Sequence, residues 1–236
     1  MLNRLSLLFR RRPALSPEQQ RALAAYCALP AVPASAPLAS LRWVVLDVET
    51  TGLDPFTDRL ISIGAVEVLG DKIPLDSGFE AVLRQPQASA RDNILVHGIG
   101  GTEQRSGMAP AAALLDFLRY AGKAPLVGFH SDFDRIMIER AAREALGMVP
   151  DNPWLDLALL APALLGKPGE SLPQGLDGWT ARAGIDNRFR HNALADALAT
   201  AQLLQVVLAG ARADGVRTLG DLAQIGKDRR WLGRST

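Results

Sequence analysis

The stretch Val44-Val45-Leu46-Asp47-Val48-Glu49-Thr50-Thr51-Gly52-Leu53-Asp54-Pro55 sets two carboxylates inside an apolar, β-branched run of strand length. It ends in Gly, Asp and Pro, the composition of a turn. Alternate residues of a strand share a face, so Asp47 and Glu49 point one way and Val44, Leu46 and Val48 the other. A strand this apolar belongs in the middle of a sheet, where neighbouring carboxylates repel each other and lose hydration. No Lys or Arg lies within the run to compensate them. A divalent cation is the natural counter-charge, because hard cations take carboxylate oxygens. The alternative is a strand-end pair facing water.

Composition limits where compensation can come from. The 236 residues carry a net charge of +1, so there is no global polycation for nucleic acid to grip. Nucleic-acid binding therefore has to rest on a local patch or on bound cations. The single Cys27 excludes an intramolecular disulfide framework and Cys-based zinc sites, and fits a reducing, cytoplasmic setting. No run is expected to reach the length needed to cross a bilayer. The length suits one large α/β domain with an extension, or at most two small domains.

Residues 1–40 differ from the rest of the chain. A short apolar segment, Leu5 to Phe9, precedes Arg10-Arg11-Arg12, the reverse of the charge order in a secretory signal, so export is not expected. Ser16-Pro17-Glu18-Gln19 predicts a helix start, with Ser as N-cap, Pro in the first position and acid in the first turn. That helix is expected to reach Leu29, and Pro30 to Ser40 reads as a Pro-rich linker. The basic arm is either a solvated terminus or an attachment point for a protein partner, nucleic acid or acidic lipid.

From 41 to 210 the pattern is that of a compact domain, with a short helical tail after it over 211–236. Strands are predicted at 43–49, 59–68 and 76–83, an antiparallel meander. Helical spacing runs from Met108 to Tyr120, then come a short buried strand at 124–129 and a second amphipathic helix from Phe133 to Leu146 closed by Gly147. Leu155 to Leu165, Gly175 to Ala183, Ala193 to Leu208 and Leu219 to Ile225 are expected to be helical. Strands first, then strands alternating with helices, imply an α/β fold: a mixed sheet covered by helices.

Two further acids stand at telling places. Gly128-Phe129-His130-Ser131-Asp132-Phe133-Asp134 lies where a buried strand passes into a helix, and such junctions aim side chains at the sheet end where ligands bind. Asp132 suits an N-cap or first-turn acid, whereas Asp134 lies beside the apolar stripe of Phe133, Ile136 and Ile138; Asp134 is the candidate. In His191-Asn192-Ala193-Leu194-Ala195-Asp196, small residues flank Asp196 and would let its helix approach the sheet. A buried Asp in such a helix is costly without a partner. The alternative has Asp196 facing water beside Arg188 or Arg190. His191, just before the helix, either overhangs the site or caps the helix.

Asp47, Glu49, Asp134, Asp196 and His191, in this order and context, resemble the DEDDh 3′–5′ exonuclease family, which includes bacterial proofreading ε subunits and ribonuclease T. Asp47-Val48-Glu49-Thr50-Thr51-Gly52 is similar to the family's first motif, Phe133-Asp134 to its second, and His191 through Asp196 to its third. The likeness runs from about Trp43 to Ala209. Where the family often has His-Asn before its Phe-Asp, this chain has Phe129 and His130. Val96-His97-Gly98-Ile99 resembles a nucleotide-contacting turn, with Gly100-Gly101-Thr102 where a Thr commonly comes next.

The resemblance implies a ribonuclease-H-like mixed sheet and phosphodiester hydrolysis at a 3′ end. Four carboxylates suit two hard ions about 3.5–4 Å apart, Mg²⁺ with Mn²⁺ as a substitute, one activating water and the other relieving the leaving oxygen. His191 would be the general base. Thr50, Thr51 and Gly52 would hold the terminal nucleotide, with His97 and Ile99 lining its base or sugar. The alternatives are a plain turn and a surface histidine. A single-stranded 3′ end is the expected substrate. The Glu-Thr-Thr-Gly-Leu-Asp-Pro run looks more like DNA-directed members, with RNA trimming as the alternative. No convincing Gln-X-X-Leu/Met-X-Phe clamp-binding peptide occurs after Leu208, which favours a free-standing enzyme or one recruited through residues 1–40. A binding adaptor on the same fold is the rival from another class.

Overall fold

The carboxylate-bearing run is β1 (Arg42–Thr50), and in the computed structural model, which describes residues 14–233, it lies at the centre of a sheet. The other strands are β2 (Leu60–Leu69), β3 (Phe79–Val82), β4 (Leu126–Gly128) and β5 (Trp154–Asp156), in the order β3-β2-β1-β4-β5. β1, β2 and β3 pair antiparallel, as the meander predicted, while β4 and β5 add in parallel on the other side of β1. The fold is a mixed α/β sheet flanked by helices, as expected.

Alternation along β1 divides the core in two. Val44, Leu46 and Val48 pack with α4 (Pro110–Ala121), α5 (Asp132–Leu146) and Tyr26 of α1 (Pro17–Ala28). Trp43 and Val45 pack on the opposite face with α6 (Leu157–Leu165), α8 (Ala193–Ala213) and α9 (Leu219–Gly233). Trp43, Val44 and Val45 are fully buried, and each such side chain contributes about 2 kcal/mol. Asp47 and Glu49 continue the Trp43 face, so they emerge on the side covered by α8.

Several boundaries differ from expectation. β3 starts at Phe79, not residue 76, because Pro74 opens a tight turn over Leu75–Ser77 that the Ser77 hydroxyl closes onto the Pro74 carbonyl at 2.9 Å. β5 was hidden at the head of an apolar run expected to be wholly helical. Three residues are too few to show alternation, and Asp156 then caps α6 by accepting from Ala158 N at 2.9 Å. Two short helices, α2 (Arg91–His97) and α3 (Gly101–Ser106), fill a region where no periodicity was evident, and neither has a side-chain N-cap. α7 spans Leu176–Arg182. α9 is twice its expected length, opened by Thr218 and Asp221, which bond to each other's backbone N–H groups.

The basic arm falls outside the described residues. Residues 30–40, expected as a linker, are packed against the domain. Leu38 is buried with Trp43, and Gly220 N donates to Ala34 O at 2.7 Å. One expectation about length needs correction: α8 has 21 residues and by length and composition could cross a bilayer. Its apolarity has another cause here, since Ala197, Leu203, Leu204 and Val207 are buried in the core against the sheet.

Candidate active site

The approach of α8 to the sheet begins with a missing side chain. Gly64 of β2 stands directly opposite Asp47. A Cβ there would lie 2.2 Å from Leu194 N and 2.3 Å from Ala193 C, contacts no real side chain makes. Only glycine lets the first turn of α8 press onto the strand pair, and that turn carries Asp196 beside Asp47 and Glu49. Sequence reasoning looked for small residues on the helix; the decisive one is on the sheet.

Asp196 is 4 % exposed, so it does not face water. Its Oδ1 accepts from Asn187 Nδ2 and Arg190 Nη1, each at 2.5 Å, and its Oδ2 accepts from His191 N at 2.9 Å. Arg190 also pairs with Asp177, while Arg188 pairs with Asp186 at 2.6 Å. Asn192 caps α8 by accepting from Ala195 N at 3.0 Å. His191 therefore overhangs the site on an exposed turn and leaves the capping to its neighbour.

Asp134 arrives from the other helical layer. It lies in the first turn of α5, buried, with a backbone hydrogen bond from Val48. Its Oδ2 would be 3.3 Å from a Cβ at Gly128, so the strand end leaves room for it. Asp132 stays outside, half-buried and paired with Arg135 at 3.2 Å and Arg230 at 3.1 Å.

Burial raises the pKa of Asp47, Glu49 and Asp134, and neighbouring carboxylates of the cluster add to it at Asp47 and Glu49. Burial pushes Asp47 well above the usual range, and the charges of Asp134, Glu49 and Asp196 push it further. Glu49 is raised to about 8 by burial and then by Asp196 and Asp134, with Arg190 opposing. Asp134 is raised to about 7, chiefly by burial and in part by Asp156. Glu49 Oε1 is buried with no hydrogen-bond partner. Among the described residues, no group of three or more His, Cys, Asp or Glu is arranged so that it could hold a metal ion as it stands; Asp196 is turned to Arg190 instead. Repulsion that Arg190 only partly offsets and an orphaned carboxylate oxygen nevertheless suit a hard divalent cation, which Asp47, Glu49, Asp134 and Asp196 would hold once Asp196 turned from Arg190.

Asp47, Glu49 and Asp196 open into a cavity of 850 Å³, whose lining does not include the buried Asp134. Thr50, Thr51 and Gly52 line it, but both hydroxyls are committed to the turn: Thr50 Oγ1 donates to Gly52 O at 2.6 Å and Thr51 Oγ1 to Asp58 Oδ1 at 2.8 Å. His97 also lines it, buried and not at the surface. Its Nδ1 accepts from Ile99 N at 2.9 Å and its Nε2 faces Asn93 Oδ1 at 2.8 Å, so the ring is neutral with Nε2 as the donor. Burial lowers its pKa accordingly. Ile99, expected at the base or sugar, does not line the cavity; Val96 does. A separate cleft of 340 Å³ between Leu60, Leu83 and Met137 has no carboxylate cluster.

Sequence reasoning missed Asp156. It ends β5 beside Gly128 and accepts from both His130 N and Ala158 N at 2.9 Å, with its pKa raised by burial. An Asp ahead of an apolar helix was the only available signal. It also passed over Leu176 and the aromatic pair Phe129 and Phe133, which form the cavity's apolar walls.

Comparison with known proteins agrees with this geometry. Residues 44–204 match the exonuclease family of the RNase T type. The chain is 35% identical over 193 residues to a DNA polymerase III subunit epsilon-like protein of Rhodobacter capsulatus, covering 79% of this chain and 26% of that one. It is 28% identical over 182 residues to the DNA polymerase III subunit epsilon of Rickettsia felis, covering 74% and 77%. Among solved structures, E. coli Exonuclease I in complex with a dT13 oligonucleotide superposes with a TM-score of 0.61 at 21% identity, over 74% of this chain and 42% of that one. The chain thus spans about a quarter of the first relative and less than half of Exonuclease I. A sheet with a carboxylate-bearing central strand, matched across most of its length by one family, leaves a single assignment: this chain belongs to the exonuclease family.

Proposed function

We propose that the chain is a metal-dependent 3′–5′ exonuclease that releases nucleoside monophosphates from single-stranded nucleic acid, DNA in preference to RNA. The observation that carries this reading is the carboxylate cluster, Asp134 and Asp196 buried and Asp47 and Glu49 half-buried, with Glu49 Oε1 left unpartnered at the foot of an open cavity. The four would hold two divalent ions, Mg²⁺ with Mn²⁺ as a substitute. When bound, such ions neutralise charge on the phosphate and acidify the attacking water. Residues 41–210 form the catalytic unit, and the free, exposed Cys27 accords with a reducing, cytoplasmic setting.

His191 overhangs the carboxylates and takes the proton from the attacking water. The water oxygen bonds to phosphorus as the bond to the preceding 3′-oxygen breaks, freeing a 5′-monophosphate. Thr50 to Gly52 shape the floor under the terminal nucleotide, and His97 with Val96 forms its side wall. Phe129 and Phe133 offer ring faces for an unstacked base, which favours a single strand. The DNA preference rests on the first motif and on the names of the polymerase III relatives.

Digestion of matched 3′- and 5′-labelled DNA and RNA strands tests this, with Mg²⁺ and with chelator, beside Asp47→Ala and His191→Ala. Stepwise loss from the 3′ end is expected, abolished by chelator and reduced about 10²–10⁴-fold without His191. Binding without metal-dependent cleavage would replace this reading with a nucleic-acid adaptor, and faster RNA loss would reverse the substrate preference.

A further inference from the structure

The chain has three histidines, and all three line the same cavity. His97 has both ring nitrogens engaged and is part of the wall. His130 and His191 differ from it in the same ways. They are the two non-glycine residues with positive φ among the described residues, at 59° and 62°. Each donates its backbone N–H to a carboxylate at 2.9 Å, His130 to Asp156 and His191 to Asp196. Both side chains are exposed, and neither ring has a hydrogen-bond partner among the described residues. The His130 ring makes a T-shaped contact with Phe129, at 4.9 Å between centroids.

A left-handed backbone is uncommon outside glycine, and Asn, Asp and His are the side chains that adopt it most readily; held there by a carboxylate at its N–H, a histidine ring is aimed in a fixed direction at a modest cost in strain. Asp156 supplies the restraint. It is itself fixed by capping α6, so the β4–α5 turn is tied to a helix end and the imidazole is held at the cavity mouth. The cavity floor is acidic, and its one arginine, Arg190, is tied to Asp177 and Asp196. His130 is then a free donor on a wall where an incoming polyanion needs one.

We propose that His130 is a substrate-binding residue, donating to a backbone phosphate on the 5′ side of the scissile bond, with Asp156 as its positioning residue. This rests on the exonuclease reading above. His130→Gly separates a binding role from a structural one, because glycine relaxes the left-handed turn while removing the ring. The wild type, His130→Gly and His130→Asn are compared on a single-stranded DNA decamer and on the p-nitrophenyl ester of thymidine 5′-monophosphate, which has no phosphate beyond the scissile one.

For His130→Gly the melting temperature holds or rises and KM for the decamer increases about fivefold or more. kcat stays within about twofold, and the loss in kcat/KM is several-fold larger on the decamer than on the ester. His130→Asn keeps the turn and an N–H donor, and recovers most of the decamer affinity. Equal losses on both substrates, or no loss on the decamer, would overturn the proposal. If the wild type cleaves neither substrate, the exonuclease reading is what fails. Anisotropy of a fluorescein-labelled decamer with Mg²⁺ then decides for His130, and unchanged affinity in His130→Gly would overturn it.

Discussion

Arg190 Nη1 lies 2.5 Å from Asp196 Oδ1, so the carboxylate at the foot of α8 carries its own counter-cation. Arg190 also opposes the raised pKa values of Asp47 and Glu49. Any ion that binds Asp196 has to compete with this guanidinium. Arg190→Ala is expected to destabilise the metal-free protein by about 1–3 kcal/mol, since a buried carboxylate loses its partner while the arginine is only half-buried. The same variant should gain more melting temperature from added Mn²⁺ than the wild type does. Thermal unfolding in chelator and across a Mn²⁺ series measures both, and an equal Mn²⁺ response would show that Arg190 does not compete.

The raised carboxylates also predict how stability depends on pH. Glu49 moves from its ordinary 4.5 to about 8 in the fold, and Asp134 from 3.8 to about 7. Across that interval the folded state holds protons that the unfolded chain has released. Their stabilisation is complete below the ordinary carboxylate range, is lost progressively as pH rises from there, and is gone once pH has passed about 7 for Asp134 and about 8 for Glu49. In chelator, melting temperature should fall over this window; with Mg²⁺ the fall should shrink, because the ion favours the charged forms. Parallel curves with and without Mg²⁺ would contradict a metal role for these groups.

Gly64→Ala tests how α8 is seated. The added methyl meets helix backbone at 2.2 Å, so the helix start has to move. A loss of about 3 kcal/mol is expected, at the upper end for overpacking. A fall in kcat should accompany it as Asp196 leaves the cluster. Denaturant unfolding and single-turnover rates report the two effects, and retention of full activity would show that the close approach is dispensable.

Asp156→Ala removes the acceptor shared by His130 N and Ala158 N. Loss of the α6 cap should cost about 1–2 kcal/mol. Amide hydrogen exchange should quicken at residues 129–131 as the left-handed turn loses its tether. Unchanged exchange there would mean the turn is held by something other than Asp156.

What could be read in the chain was local. Two-residue spacing puts Asp47 and Glu49 on one face of a strand, and the Ser16 to Gln19 pattern marks a helix start; the Ser16 hydroxyl and Gln19 side chain do form a reciprocal cap, at 3.2 and 3.0 Å. Strand and helix periods carry such information within a few residues. Local context also singled out Asp134, Asp196 and His191, and their order with Asp47 and Glu49 carried the likeness to a family. What is non-local was not legible. Nothing near Gly64 in sequence announces that it faces Ala193 and Leu194, more than a hundred residues on. Asp156 gains its place only because a three-residue strand joins β4 in parallel register. The linker-like residues 30–40 are ordered by partners near 217–220, which composition does not report. Local spacing decided which side chains share a face; packing of distant segments decided which faces meet, and repulsion among the carboxylates arises only where they meet.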